Sequence, residues 1–157
     1  MDVTSADGDY ELWVLLHQTK DAIYKAREKE LRQFGLSPVT AAALLVVESI
    51  DGPATPNEIA RWLSRKSHTV FGLVSRMEKE GLVTRTKDLE KKNLVRVALT
   101  EKGRQALRLS MERLVIHHIF SSLSEGQRQQ LTPCLSVLLD KALDQLGMER
   151  KLPFLER

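Results

Sequence analysis

Arg65-Lys66-Ser67-His68-Thr69, followed by Gly72 and Arg76, brings cations, hydroxyls and an imidazole together within one short stretch of a 157-residue chain. Such groups suit phosphate oxygens, which cations neutralise, and base edges, with which hydroxyl and imidazole groups exchange hydrogen bonds. A second basic group, Arg85, Lys87, Lys91 and Lys92 with the amide of Asn93 beside it, follows a few residues further on. Further toward the start, Trp13, His17 and Tyr24 recur at spacings of four and seven, close to one helical face, with Arg27 beside them. Two π-faces and a forked guanidinium would suit an aromatic or phenolic anion. Packing at a helix interface accounts for that spacing equally well.

Chemistry of other kinds finds little footing. His117-His118 resembles a metal pair, but adjacent helical residues point about 100° apart and cannot readily share one ion. With Cys134 and His17 the ligand types for a zinc-responsive site exist, without a recognisable spacing. Cys134 stands among Leu131, Leu135 and Leu138, which favours an inert buried thiol. No nucleophile elbow, P-loop, HExxH or Gly-rich dinucleotide fingerprint occurs. Neither enzymatic activity nor a cofactor nor a bound metal is expected.

The charge distribution singles out the same region. Lys and Arg number 24 against 21 Asp and Glu, a net charge of +3. Residues 55–104 hold twelve basic and six acidic groups, a net of +6, so the remainder carries −3. A positive field confined to one third of the chain is expected of a surface that meets phosphates, although a solvated basic face would look similar. The longest apolar run, residues 41–47, is far short of a membrane span. The first nine residues are acidic and unlike a signal peptide, and the single cysteine excludes an intrachain disulfide, so a cytoplasmic protein is expected.

Sequence punctuation divides the chain into six helices and a hairpin. The first helix spans about 10–34, with Gly35 at its C′ position. Ser37-Pro38 opens a second, to about residue 50, and Thr55-Pro56-Asn57-Glu58 opens a short third. The fourth runs from about Lys66 to Gly81 with Val70, Leu73, Val74 and Met77 as its apolar stripe. Residues 82–86 and 94–99 alternate as two strands around a polar, basic loop. Thr100 caps a fifth helix to about Ser121. Ser124 with Gln127 opens a sixth that ends at Gly147, and Pro133 inside it predicts a kink or a late start.

A short helix, a tight junction, a second helix and then a hairpin is the order of a helix-turn-helix with a wing. In it Ile59, Ala60 and Leu63 would pack beneath Val70, Leu73 and Val74, leaving residues 65–69 and Gly72 around an exposed helix start. Trp62 and Phe71 are expected mainly to pack between helices. The stretches Ile59-Ala60-Arg61-Trp62-Leu63, Thr69-Val70, residues 73–83 and Val97-Ala98-Leu99-Thr100-Glu101-Lys102-Gly103 resemble the recognition region and wing of the MarR (multiple antibiotic resistance regulator) family. The resemblance extends in pattern over residues 10–147.

It implies a mainly α, winged helix-turn-helix homodimer that binds duplex DNA as a ligand-responsive repressor at an inverted repeat. Helical parts 10–34 and 101–147 would dimerise, 36–100 would form the DNA-binding lobe, and 1–9 and 148–157 would be flexible termini. Recognition-helix roles fall on Ser67, His68, Thr69 and Gly72, with Arg65, Lys66 and Arg76 beside them. Wing roles fall on Arg85, Lys87, Lys91, Lys92 and Asn93, and effector roles on Trp13, His17, Tyr24 and Arg27. The family's wing tip carries an acidic residue and two arginines where this chain has Lys91-Lys92-Asn93, and lysine lacks the arginine fork for a groove floor. Peroxide-sensing relatives carry a cysteine in the first helix, which this chain lacks. The competing class is a winged-helix protein-interaction module that does not bind DNA.

Overall fold

A computed structural model describes residues 7–52, 54–88, 90–91 and 94–148. Lys92, Asn93 and most of both expected flexible termini therefore lie outside the described residues. Helix α1 (Gly8–Arg32) starts two residues ahead of expectation because the Asp7 side chain accepts a hydrogen bond from the Asp9 amide at 3.2 Å. Its exit is closed by Gly35, at φ +69°, and by the Leu36 amide donating to the Leu31 carbonyl.

Ser37 caps α2 (Pro38–Ser49) by accepting from the Thr40 amide at 3.1 Å, and Pro38 supplies the fixed φ of a first helical residue. Half of α2 is buried, including Ala43, Leu44, Val46 and Val47. The uninterrupted apolar run of residues 41–47 is thus a central core helix, wrapped on several sides. Thr55 caps α3 (Pro56–Trp62) through the Glu58 amide, and α4 (Ser67–Lys79) buries Val70, Leu73, Val74 and Met77 against it.

Strands β1 (Val83–Lys87) and β2 (Val95–Leu99) pair antiparallel, with Val83 opposite Leu99 and Arg85 opposite Val97. A two-stranded hairpin is marginal by itself, and this one is held through buried Val83, Val97 and Leu99 and through the Val97 amide donating to Ala54. Thr100 ties the hairpin to α5 (Glu101–Ser110): its hydroxyl donates to the Gly81 carbonyl and accepts from the Gly103 amide. Gly103 is obligatory, because a Cβ there would sit 2.0 Å from the Leu82 carbonyl oxygen.

The expected fifth helix is two helices. It breaks after α5 and resumes as α6 (Leu114–Phe120), with Arg113 at φ +51° between them. The last helix, α7 (Glu125–Leu146), has the expected capping box of Ser124 and Gln127. It starts there and continues through Pro133, so a late start is not adopted.

Among the described residues, the buried apolar core is confined to the lobe from Leu31 to Leu107. None of the described residues of α6 or α7 is buried, and α1 buries Leu31 alone. Tyr10, Leu12, Trp13, Leu114, Val137, Leu138 and Leu146 all stand exposed. So large an apolar surface on one chain is characteristic of an interface.

Candidate nucleic-acid interface

Between α3 and α4 the chain turns at Ser64, whose φ of +50° puts a non-glycine residue in the left-handed region. The Arg65 amide donates to the Ala60 carbonyl at 2.9 Å, closing the turn and setting α4 against α3. Lys66 then enters α4 without giving it a side-chain cap, and the first turn contains no acidic residue. The Thr69 amide turns back to the Lys66 carbonyl at 3.0 Å, while the positive end of the helix dipole, with no side-chain cap and no acid beside it, faces solvent and suits an anion.

Arg65, Lys66, Ser67, His68 and Thr69 are all exposed, gathered around this helix start. His68, Gly72, Arg76 and Lys79 continue along the face opposite the buried stripe, as the 100° step per residue requires. A Cβ built on Gly72 meets nothing within 4 Å, so no contact inside the chain demands a glycine there. The two aromatic residues of the region part company. Trp62 is half-buried against the core, as expected, whereas Phe71 remains 42% exposed on α4.

Arg85 has a role that its position in the sequence conceals. Its Nε donates to the Glu78 carboxylate at 2.8 Å, a terminal nitrogen to the same group at 2.6 Å, and the other to the Ser75 hydroxyl at 3.1 Å. The guanidinium thus joins β1 to α4. Arg85 beside Glu78 holds that carboxyl below the usual carboxylate range, against the opposing effect of desolvation.

Lys87 and Lys91 are exposed on the wing, and Lys92 and Asn93 lie outside the described residues. Beneath them is a carboxylate that composition and motif did not single out. Asp88 accepts from the amides of Lys91 at 3.0 Å and Glu90 at 2.8 Å, and from Arg96 Nε at 2.6 Å. Those two amides and the Arg96 guanidinium lower its pKa to about 2, although burial opposes them. An Asp that bonds amides two and three residues on is a turn signal, and that signal was available in Asp88-Leu89-Glu90-Lys91.

The four residues expected to bind an effector do not share one cavity. Tyr10, Trp13 and His17 stack along α1 with ring centroids 5.6 Å apart, and His17 Nε2 lies 3.3 Å from Asp21. Tyr24 and Arg27 instead line an apolar groove of about 650 Å³ with Ile23, Ile119, Phe120 and Leu135. Arg27 also borders a smaller cavity of about 180 Å³ between α1, α2 and α5, with Leu31, Pro38, Ala41, Met111 and Arg113. Its guanidinium is engaged by the Glu30 carboxylate and the Ser110 carbonyl.

Among the described residues, no three His, Cys, Asp or Glu side chains are grouped to hold a metal ion, and no helix is long and apolar enough to cross a membrane. Cys134, expected to be buried, is exposed on α7. The neighbouring leucines that suggested burial belong to a helix with no buried face in the single chain.

Three comparisons bear on this arrangement. The model of the MarR family matches residues 34–92, the span from the end of α1 to the wing. The transcriptional repressor MprA of Escherichia coli K12 is 28% identical over 126 residues, covering 78% of this chain and 71% of that one. The crystal structure of the organohalide-sensing transcriptional regulator RdhR, in its 2,4-dichlorophenol-bound form, superposes with a TM-score of 0.83 at 32% identity. The match covers 91% of this chain and 86% of that one. A mutant of E. coli MarR complexed with operator DNA shares the fold, with a TM-score of 0.76 at 18% identity over 85% of this chain and 99% of that one.

Proposed function

We propose, from the premise that this chain belongs to the MarR family of transcriptional regulators, that it works in the cytoplasm as a homodimeric repressor of an inverted-repeat operator, released by a small aromatic or phenolic effector. Regulators of this family bind DNA and are not enzymes. The observation that carries the DNA reading is the uncapped, acid-free start of α4, set among Arg65, Lys66, Ser67, His68 and Thr69 on a lobe braced from below. In this reading α4 enters the major groove, with His68, Thr69, Gly72 and Arg76 facing base edges and Arg65 and Lys66 on phosphates. Lys87, Lys91, Lys92 and Asn93 track the flanking backbone, and Arg85 aligns the wing instead of contacting DNA.

Residues 36–100 act as the DNA-binding lobe, and 10–34 with 101–147 as the dimerisation region. Two lobes must then sit about 34 Å apart to reach successive major grooves. An effector acts by preferring another spacing. RdhR has been crystallised with 2,4-dichlorophenol, and the cavity between α1, α2 and α5 is of matching scale: about 180 Å³, against about 150 Å³ for an engineered cavity that holds benzene. Its walls combine apolar Leu31, Pro38, Ala41 and Leu45 with Arg27 and Arg113, which suits one ring bearing an acidic oxygen.

Fluorescence anisotropy of random and selected duplexes across a salt series tests the DNA reading. Phosphate neutralisation releases counterions, so log K should fall with log salt at a slope of about 0.9 per phosphate contacted. Selection from random duplexes should return an inverted repeat. Salt-independent binding, or none, would favour the protein-interaction module.

A further inference from the structure

The break between α5 and α6 is bridged from outside by a pair of residues on α1. Between Ser110 and Leu114 the chain passes through Arg113 in the left-handed region, and α6 receives no side-chain cap from its own N-cap residue. The Glu30 carboxylate supplies that cap, accepting from the Val115 amide at 2.9 Å. One turn earlier on α1, Arg27 donates to the Ser110 carbonyl at the end of α5, and the same guanidinium pairs with Glu30. One ion pair therefore holds the last carbonyl of one helix and an early amide of the next. Both side chains are mostly withdrawn from solvent, Arg27 at 15% exposure and Glu30 at 14%.

Position gives this bridge its consequence. Helix α5 is fastened to the winged lobe through Thr100 and Gly103, whereas α6 packs with α1 on the other side of the break. The angle at the break sets how the lobe is carried. The cavity assigned above to the effector abuts the bridge, with Arg27, Ser110, Met111 and Arg113 all in its wall.

We propose that Arg27 and Glu30 form a clamp that holds the α5–α6 angle, and that an anionic single-ring effector opens it by drawing Arg27 away from the Ser110 carbonyl. The effector part rests on the effector reading given above; the clamp does not. The exchange replaces a neutral acceptor with a charged one on the same guanidinium, and charge-assisted hydrogen bonds are the stronger kind. Glu30 keeps its hold on α6 while α5 loses its tie, so the lobe turns relative to the helical base. Because only the open state offers Arg27 to the ligand, the effector and the operator are coupled reciprocally.

Two variants test the clamp, one at each of its members. Arg27→Lys keeps the charge but, with one point-like ammonium, cannot serve Glu30 and Ser110 as a fork does. Glu30→Gln keeps an oxygen for the Val115 amide and loses the ion pair. A spin label at exposed position 48 (Glu48→Cys in a Cys134→Ser background) reports the lobe-to-lobe distance in the dimer, with salicylate and 2,4-dichlorophenol as probes and calorimetry for their binding. In the parent protein salicylate should shift the distance. Both variants should show the shifted distance without any probe and bind operator about tenfold more weakly, with thermal melting still cooperative. Variants that retain the parent distance and operator affinity would overturn the clamp. If neither probe binds the parent protein, the effector reading fails and so does its part in the opening, while the distance in probe-free variants still decides the clamp.

Discussion

Gly72 is costly to its own helix and useless to its own chain, which makes it the sharpest single residue at which to question the DNA surface. A glycine inside a helix costs about 1 kcal/mol relative to alanine, and no neighbour within 4 Å needs the space. Gly72→Ala should raise the melting temperature and weaken operator binding by about tenfold or more, the loss expected where a Cβ meets a sugar or phosphate at close approach. A variant that is stabilised and binds as tightly as before would move the DNA off this face. Arg65 and Lys66 allow a complementary measurement, since they are exposed cations at the open start of α4. Replacing both by alanine should weaken all duplexes alike and reduce the salt slope by about one unit per lost contact. His68→Ala should instead relax preference at one or two base pairs per half-site, by about 1–3 kcal/mol for a reading contact. An unchanged selected sequence would remove His68 from that role.

Elements with a strong period were legible, and breaks made by tertiary contact were not. Val70, Leu73, Val74 and Met77 announce α4 because a 3.6-residue repeat must bury one face, and all four are buried. Ser37-Pro38, Thr100 and Ser124 announce helix starts because a hydroxyl before the first turn satisfies an amide that the helix cannot. The division of α5 from α6 left no such mark. Residues 104–121 contain neither glycine nor proline, and the helix ends on either side of Arg113 are bonded to partners more than eighty residues away. In the sequence Arg27 reads as a forked donor, but its obligations to Glu30 and Ser110 are visible only in three dimensions. The wing shows the same limit: Arg85 reads as one more cation on a basic wing and is in fact the strut to Glu78 and Ser75. Asp88 organises the turn beyond it, with a folded pKa of about 2 against an ordinary 3.8. A carboxyl depressed by folding stabilises the wing fully above its ordinary value and loses that contribution as pH falls toward 2. Protection of the Glu90 and Lys91 amides from hydrogen exchange should therefore hold at pH 5 and decline below about 4, the ordinary carboxylate range. In Asp88→Asn that protection should be weaker at pH 5 and lack the acid step, the two proteins converging as pH falls toward 2. Equal protection in the two proteins would show that the turn does not depend on this carboxylate.

At the scale of the molecule, the lobe can fold on what it buries and the remaining helices cannot. Every buried apolar residue lies between Leu31 and Leu107 among the described residues, whereas Val137 and Leu146 of α7 are 67% and 68% exposed. Burying one such side chain fully is worth about 1.5–3 kcal/mol, so α1, α6 and α7 have far more to gain from a second copy than from their own chain. This division separates stability of the lobe from assembly, and one pair of substitutions can test it. Val137→Glu and Leu146→Glu, made together, should turn the dimer into a monomer in sedimentation experiments. The lobe should retain cooperative unfolding, because neither position touches its core. Operator affinity should then fall to that of a single half-site, since the second lobe no longer binds at the high effective concentration that a dimer provides. The salt slope should shrink in step, as half the phosphate contacts are lost. A double variant that remains dimeric would place the interface elsewhere on α1 and α6. A monomer that still bound the full operator with parent affinity would show that recognition does not require two lobes held at a fixed spacing.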